Sequence, residues 1–137
     1  MEISKEFEFD SSHRLHNVEH TDDWNKKAFG KCNNEPSHGH RWKLIVTVDG
    51  EVNEHTGFVV NFVELKEIVN NAVIEKFDHH FINDVPEVRG IVPTCENMLP
   101  IIGQLIQVEL GKRQIVSYKL KRLTLYETST SCATLEF

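Results

Sequence analysis

Two stretches of this chain alternate in polarity, and each carries histidine on its apolar parity. In the first, Ile3, Phe7 and Phe9 share a parity with Lys5, against Glu2, Ser4, Glu6, Glu8 and Asp10. The same parity continues through Ser11 to His13. In the second, Trp42, Leu44, Val46 and Val48 share a parity with His38 and His40. Successive strand side chains point to opposite faces, so both stretches read as strands buried on one side. His13, His38 and His40 then lie on the core side of two strands that can pair. Gly39 faces the other way and marks a place where backbone can approach closely.

Three imidazoles with one position left open is a catalytic zinc arrangement; structural zinc usually takes four protein ligands, often cysteines. Eight histidines in 137 residues is a modest excess, and a lone one would be structural. Three that converge are harder to treat so. Cys32-Asn-Asn-Glu-Pro-Ser-His-Gly-His40 adds a thiol and a carboxylate within nine residues. Cys32 and Glu35 are therefore candidates for ligand, base or nucleophile. Cys32 with the three histidines would instead be a closed structural site, and Glu35 an exposed loop carboxylate.

The rest of the chain supplies the frame. Arg14 to Ser37 loses periodicity and reads as a long loop, functional or mobile, with His16 and His20 as surface residues. Gly57 to Phe62 reads as a short third strand. A helix follows from about Val63 to Phe77, with Leu65, Ile68, Val69, Ala72 and Val73 on one stripe. Asp78-His79-His80 after it is a plain cap, or a proton relay if it lies near a metal. Thr94 is a suitable N-cap for a second helix, with Gly111 ending it. Pro100 predicts a kink or a later start there. Gln114 to Glu127 reads as a strand whose apolar parity switches between Leu120 and Leu123, which predicts a bulge or two-sided burial. Ala133, Leu135 and Phe137 alternate in a last strand. The predicted order is β-β-β-α-α-β-β within one domain, residues 1–137: an α+β fold with an antiparallel sheet and two helices on one face. The other face must be wet or covered by partner subunits.

Charge and composition exclude some functions. A formal net charge of -6 disfavours nucleic acid as a partner, since such binders carry a basic face. Lys26, Lys27 and Lys31, and Lys112, Arg113, Lys119, Lys121 and Arg122, read mostly as solvated charge. No apolar run approaches the ~20 residues of a membrane span. The N-terminus is charged and alternating, unlike a signal peptide. Three cysteines, an odd count, then predict free thiols in a reducing, cytoplasmic setting.

The segments in order resemble the 6-pyruvoyl-tetrahydropterin synthase family, which includes the 6-carboxytetrahydropterin synthases of queuosine biosynthesis. The resemblance is carried by Phe7-Glu8-Phe9 to His13, Cys32 to Trp42, and Gly57 to Phe62 with Leu65-Lys66. It continues through Asp78-His79, Pro93 to Asn97, and Leu125 to Thr128. It implies a tunnelling fold whose subunits close a barrel of strands as trimers, stacked into a homohexamer. It implies zinc on His13, His38 and His40, Cys32 as catalytic thiol, and Asp78 and His79 as relay, possible across a subunit boundary. Glu127 and Thr94 are implied as substrate contacts, Glu127 as pterin anchor. The implied activity is a zinc-dependent lyase that eliminates triphosphate from 7,8-dihydroneopterin triphosphate. The spacing from Cys32 to His38, and Asn61, resemble the pyruvoyl branch more than the carboxy branch. Glu35 before His38-Gly39-His40 also resembles members that use a glutamate base. Those cut the dihydroneopterin side chain to 6-hydroxymethyl-dihydropterin for folate synthesis. A third reading is a non-enzymatic domain with structural zinc.

Overall fold

The computed structural model describes residues 1–137. Four strands form one antiparallel sheet in sequential order: β1 (Glu2–His13), β2 (His38–Gly50), β3 (Tyr118–Thr128) and β4 (Ser131–Glu136). The β1–β2 register places Phe9 opposite Trp42, Ser11 opposite His40, and His13 opposite His38. Alternation therefore stacks the apolar parity of both strands on one face and carries the three histidines to its end.

Helices cover that face. The first long helical segment begins as α2 (Phe62–Val69), passes a π turn (Asn70–Ile74) and ends as α3 (Glu75–Phe77). Asn61 caps it, its side chain accepting from the Val63 N–H at 2.9 Å. Leu65, Ile68, Val69, Ala72 and Val73, the expected stripe, are all buried. The second is α4 (Cys95–Lys112), which buries Met98, Leu99, Ile102 and Ile106. Between the layers Trp42, Leu44, Phe9, Phe77 and Leu123 are fully enclosed. Each such side chain contributes ~1.5–3 kcal/mol by leaving water. The opposite sheet face is charged: Arg41 pairs with Asp10 at 3.0 Å, and Arg122 with Glu2 and Glu136 at 2.9 and 3.2 Å.

The parity switch in β3 is a bulge. Thr47 pairs with Arg122, but Val48 pairs with Leu120, so Lys121 is the extra residue.

Four expectations need correction. The stretch from Arg14 to Ser37 is not wholly irregular; it contains α1 (Asp22–Phe29) and a 3-10 turn (Gly30–Asn33). Helix α1 has a capped, acidic start at Thr21-Asp22-Asp23 but almost no apolar stripe, so periodicity does not reveal it. The segment from Gly57 to Phe62 is not a strand. Both neighbours of β2 are already strands, and Val59 and Val60 are buried side by side rather than alternating. Helix α4 starts at Cys95 with Thr94 as its N-cap, as expected, and Pro100 lies inside it without delaying that start. It ends past Gly111. The Gln114 N–H donates to the Gly111 carbonyl (3.0 Å) and the Ile115 N–H to the Leu110 carbonyl (3.1 Å), with Gln114 at φ 56°. That is a Schellman ending built on Gln114. Strand β3 accordingly begins at Tyr118, not Gln114.

Candidate metal centre

The centre is built where β1 ends and β2 begins. His13 and His38 are opposed in register, and His40 follows on the same face. Their ring centroids lie 4.6 Å (His13–His38), 5.1 Å (His13–His40) and 4.9 Å (His38–His40) apart. Trp42 stands edge-on behind them, 5.0 Å from His13 and 5.5 Å from His40, and its Nε1–H donates to the Ser11 carbonyl at 3.2 Å. Glu127 joins from β3 by continuing the inward parity of Leu123 and Leu125. One ligand atom from each of His13, His38, His40 and Glu127 can be chosen so that all lie within 4.8 Å of one another.

The electrostatics suit a cation. His13 is fully buried, and its Nδ1 lies 2.8 Å from the Pro93 carbonyl. A carbonyl only accepts, so Nδ1 carries the proton and Nε2 keeps its lone pair. The Nε2 atoms of His13, His38 and His40 are buried and have no hydrogen-bond partner. Glu127 Oε1 sits 3.0 Å from His40 Nε2 and 3.5 Å from His13 Nε2, close but not aligned as hydrogen bonds. Burial pushes the His13 imidazole below the usual histidine range, opposed in part by the Pro93 carbonyl and by Glu127. Burial lowers His40 as well. Buried imidazole nitrogens without hydrogen-bond partners, beside a carboxylate, suit a divalent ion such as zinc.

The remaining candidates are dispersed around this group. Cys32 is half-buried on the 3-10 turn and is not one of its four members. Its carbonyl accepts from the Leu15 N–H at 2.9 Å, and Asn33 Nδ2 donates to the Leu15 carbonyl at 2.8 Å. The turn is thus stapled two residues beyond His13. Glu35 is exposed and pairs with Arg14 at 3.3 Å. Both line a cavity of about 510 Å³ with His16, Phe81, Asn83 and Arg89; Cys32 does not.

Asp78 and His79 lie along the outer edge of β1. Asp10 N–H donates to Asp78 Oδ1 at 2.9 Å, His79 N–H donates to the Asp10 carbonyl at 2.6 Å, and His79 Nδ1 is 2.9 Å from Asp78 Oδ2. The Asp10 N–H, and then His79, hold the Asp78 carboxyl below the usual range. The His79 side chain is 79% exposed, so this pair faces outward rather than into its own chain's centre. Thr94 Oγ1 accepts from the Asn97 N–H at 3.3 Å and so caps α4 beside Pro93.

Sequence reasoning missed one participant. Pro93 acts through its carbonyl, which leaves no mark in a sequence. Glu127 was expected to contact substrate, yet it also stands among the imidazoles; its parity with Leu123 and Leu125 was the available signal. Cys95 is buried, and burial followed by the Glu127 carboxylate pushes its thiol up to about 12, so it stays a protonated thiol.

Residues 2–136 match the model of the family described as 6-pyruvoyl tetrahydropterin synthase. The human 6-pyruvoyl tetrahydrobiopterin synthase is 38% identical over 131 residues, 95% of this chain and 87% of that protein. The Dictyostelium discoideum protein of the same description is 48% identical over 91 residues, 66% of each chain. The solved 6-pyruvoyl tetrahydropterin synthase of Caenorhabditis elegans superposes with a TM-score of 0.90 at 28% identity, covering 100% of this chain and 95% of that one.

Proposed function

The chain belongs to the 6-pyruvoyl tetrahydropterin synthase family, and from that premise we propose that it is a zinc-dependent carbon–oxygen lyase. Its substrate is 7,8-dihydroneopterin triphosphate and its product a 6-substituted tetrahydropterin, with triphosphate eliminated. The observation that carries this reading is the meeting of three buried, unpartnered Nε2 atoms beside Glu127.

His13, His38 and His40 would hold the ion, which when bound acts as a Lewis acid toward the hydroxyls of the substrate side chain and acidifies the adjacent C–H. Pro93 fixes the His13 tautomer. Glu127 keeps one oxygen turned toward the imidazoles, and its carboxylate can accept the paired N–H and amino donors of a pterin edge. Thr94 stands at the start of α4 on the same side of the fold. Cys32 as thiolate takes the carbon-bound proton. Asp78 holds His79 in one tautomer, and His79 hands protons on as triphosphate departs. Because that pair faces outward along an edge strand, it serves the centre of a neighbouring subunit. Strand edges of β1 and β4 would pair between subunits, giving the trimer and then the hexamer. Free thiols fit a reducing, cytoplasmic compartment.

A second reading assigns the base to Glu35, which lines the cavity that Arg14, the residue after His13, also lines, while Cys32 does not. It predicts 6-hydroxymethyl-dihydropterin as product, lost in Glu35→Ala and kept in Cys32→Ala. The structural-zinc reading needs Cys32 as fourth ligand, and Cys32 is not among the four residues whose ligand atoms converge. Incubating zinc-loaded protein with the triphosphate and resolving the pterins by chromatography tests the assignment. An unchanged pterin would refute it.

A further inference from the structure

Four of the five arginines are neutralised by carboxylates, and the fifth is not. Arg14 pairs with Glu35 at 3.3 Å, Arg41 with Asp10 at 3.0 Å, Arg113 with Glu109 at 3.0 Å, and Arg122 with Glu2 at 2.9 Å. Arg89 has only a long contact, from Nη2 to the Asp84 carbonyl at 3.4 Å. It lines the cavity of about 510 Å³ that Arg14 and His16 also line. A Cβ built on neighbouring Gly90 would meet no atom within 4 Å, so the space beside Arg89 is open.

Two walls of this cavity run on in sequence to residues of the metal centre. Arg14 follows His13 directly. Asn83 locks Arg14 from the other wall: the Arg14 N–H donates to Asn83 Oδ1 at 2.9 Å, and Asn83 Nδ2 donates to the Arg14 carbonyl at 2.8 Å. Ile91, a third wall residue, stands two positions before Pro93, the residue that holds His13. Arg14 is further fixed by Nε donating to the Asn33 carbonyl at 2.7 Å. One guanidinium is therefore rigid and balanced by Glu35, and the other is free and unbalanced.

A guanidinium without a carboxylate, in a concavity whose walls run on to a metal centre, is a receptor for phosphate oxygens. We propose that Arg89, with Arg14 behind it, receives the polyphosphate tail of the substrate in this cavity. Arg89 then sets the preference for phosphorylated over unphosphorylated dihydroneopterin. The proposal rests on the pterin-triphosphate reading above for its ligand, but the site itself is an anion site and can be measured without turnover.

The direct experiment is calorimetric titration of the protein with inorganic tripolyphosphate, comparing wild type with Arg89→Ala. Arg89 is exposed, and its only side-chain bond is that long contact, so the variant keeps its fold. Binding should weaken about 10-fold or more in the variant, the range for losing a charge-assisted hydrogen bond. In turnover, KM for the triphosphate should rise by a similar factor with kcat nearly unchanged. Equal tripolyphosphate binding by both proteins, or none by either, overturns the proposal. Tripolyphosphate binding that depends on Arg89, in a protein that leaves the pterin unchanged, upholds the anion site and refutes the catalytic reading. Pterin turnover with an unaltered KM in Arg89→Ala does the reverse.

Discussion

At His13 a single carbonyl decides which nitrogen is available. The Pro93 carbonyl accepts a hydrogen bond from Nδ1–H, and the lone pair of Nε2 is left facing two other imidazoles. Truncating a residue of this kind removes a ligand outright. His13→Ala and His38→Ala should each lower zinc affinity by more than the ~10–100-fold typical of outer-sphere changes, read by competition with a chromophoric chelator. Glu127 separates two roles. As the pterin anchor, Glu127→Gln should retain stoichiometric zinc and raise KM; a loss of zinc in that variant would make the carboxylate a ligand instead. The histidines were legible from sequence because period-two alternation puts them on the core parity. The Pro93 carbonyl was not, since any residue type could have supplied it.

At the scale of elements, the strands announce themselves and the connections do not. The β3 bulge was readable as a break in parity because Lys121 displaces one face of the strand. Helix α1 escaped notice because it is held by polar bonds. Asn25, fully buried, accepts from the Asn17 N–H at 2.7 Å, and its Nδ2 donates to the carbonyls of Asn17 (2.9 Å) and Thr21 (2.9 Å). These bonds close the loop that leads to Cys32 and Glu35. Asn25→Ala should leave buried backbone groups unpaired and cost about 1–3 kcal/mol, measured by urea denaturation at constant m-value. The placement of Asp78 and His79 against Asp10 was equally hidden, because main-chain pairing along the β1 edge carries no side-chain signature.

For the whole molecule, the buried histidines couple stability to pH. Burial lowers His13 and His40 in the folded state, so the fold favours their neutral forms. That contribution is complete above the unfolded histidine value of ~6.5 and is lost as pH falls below it, toward the depressed folded values. Metal-free protein should therefore lose melting temperature as pH falls below the unfolded histidine value of ~6.5. Substituting His13 by Gln should flatten that dependence. The claim on which the functional account stands is the composition of the metal shell. X-ray absorption at the zinc edge of the loaded wild-type protein reads that composition directly. The account predicts imidazole nitrogens at ~2.0–2.1 Å with only nitrogen and oxygen neighbours. A sulfur shell at ~2.3 Å would place Cys32 on the metal, close the site and contradict the assignment of a lyase.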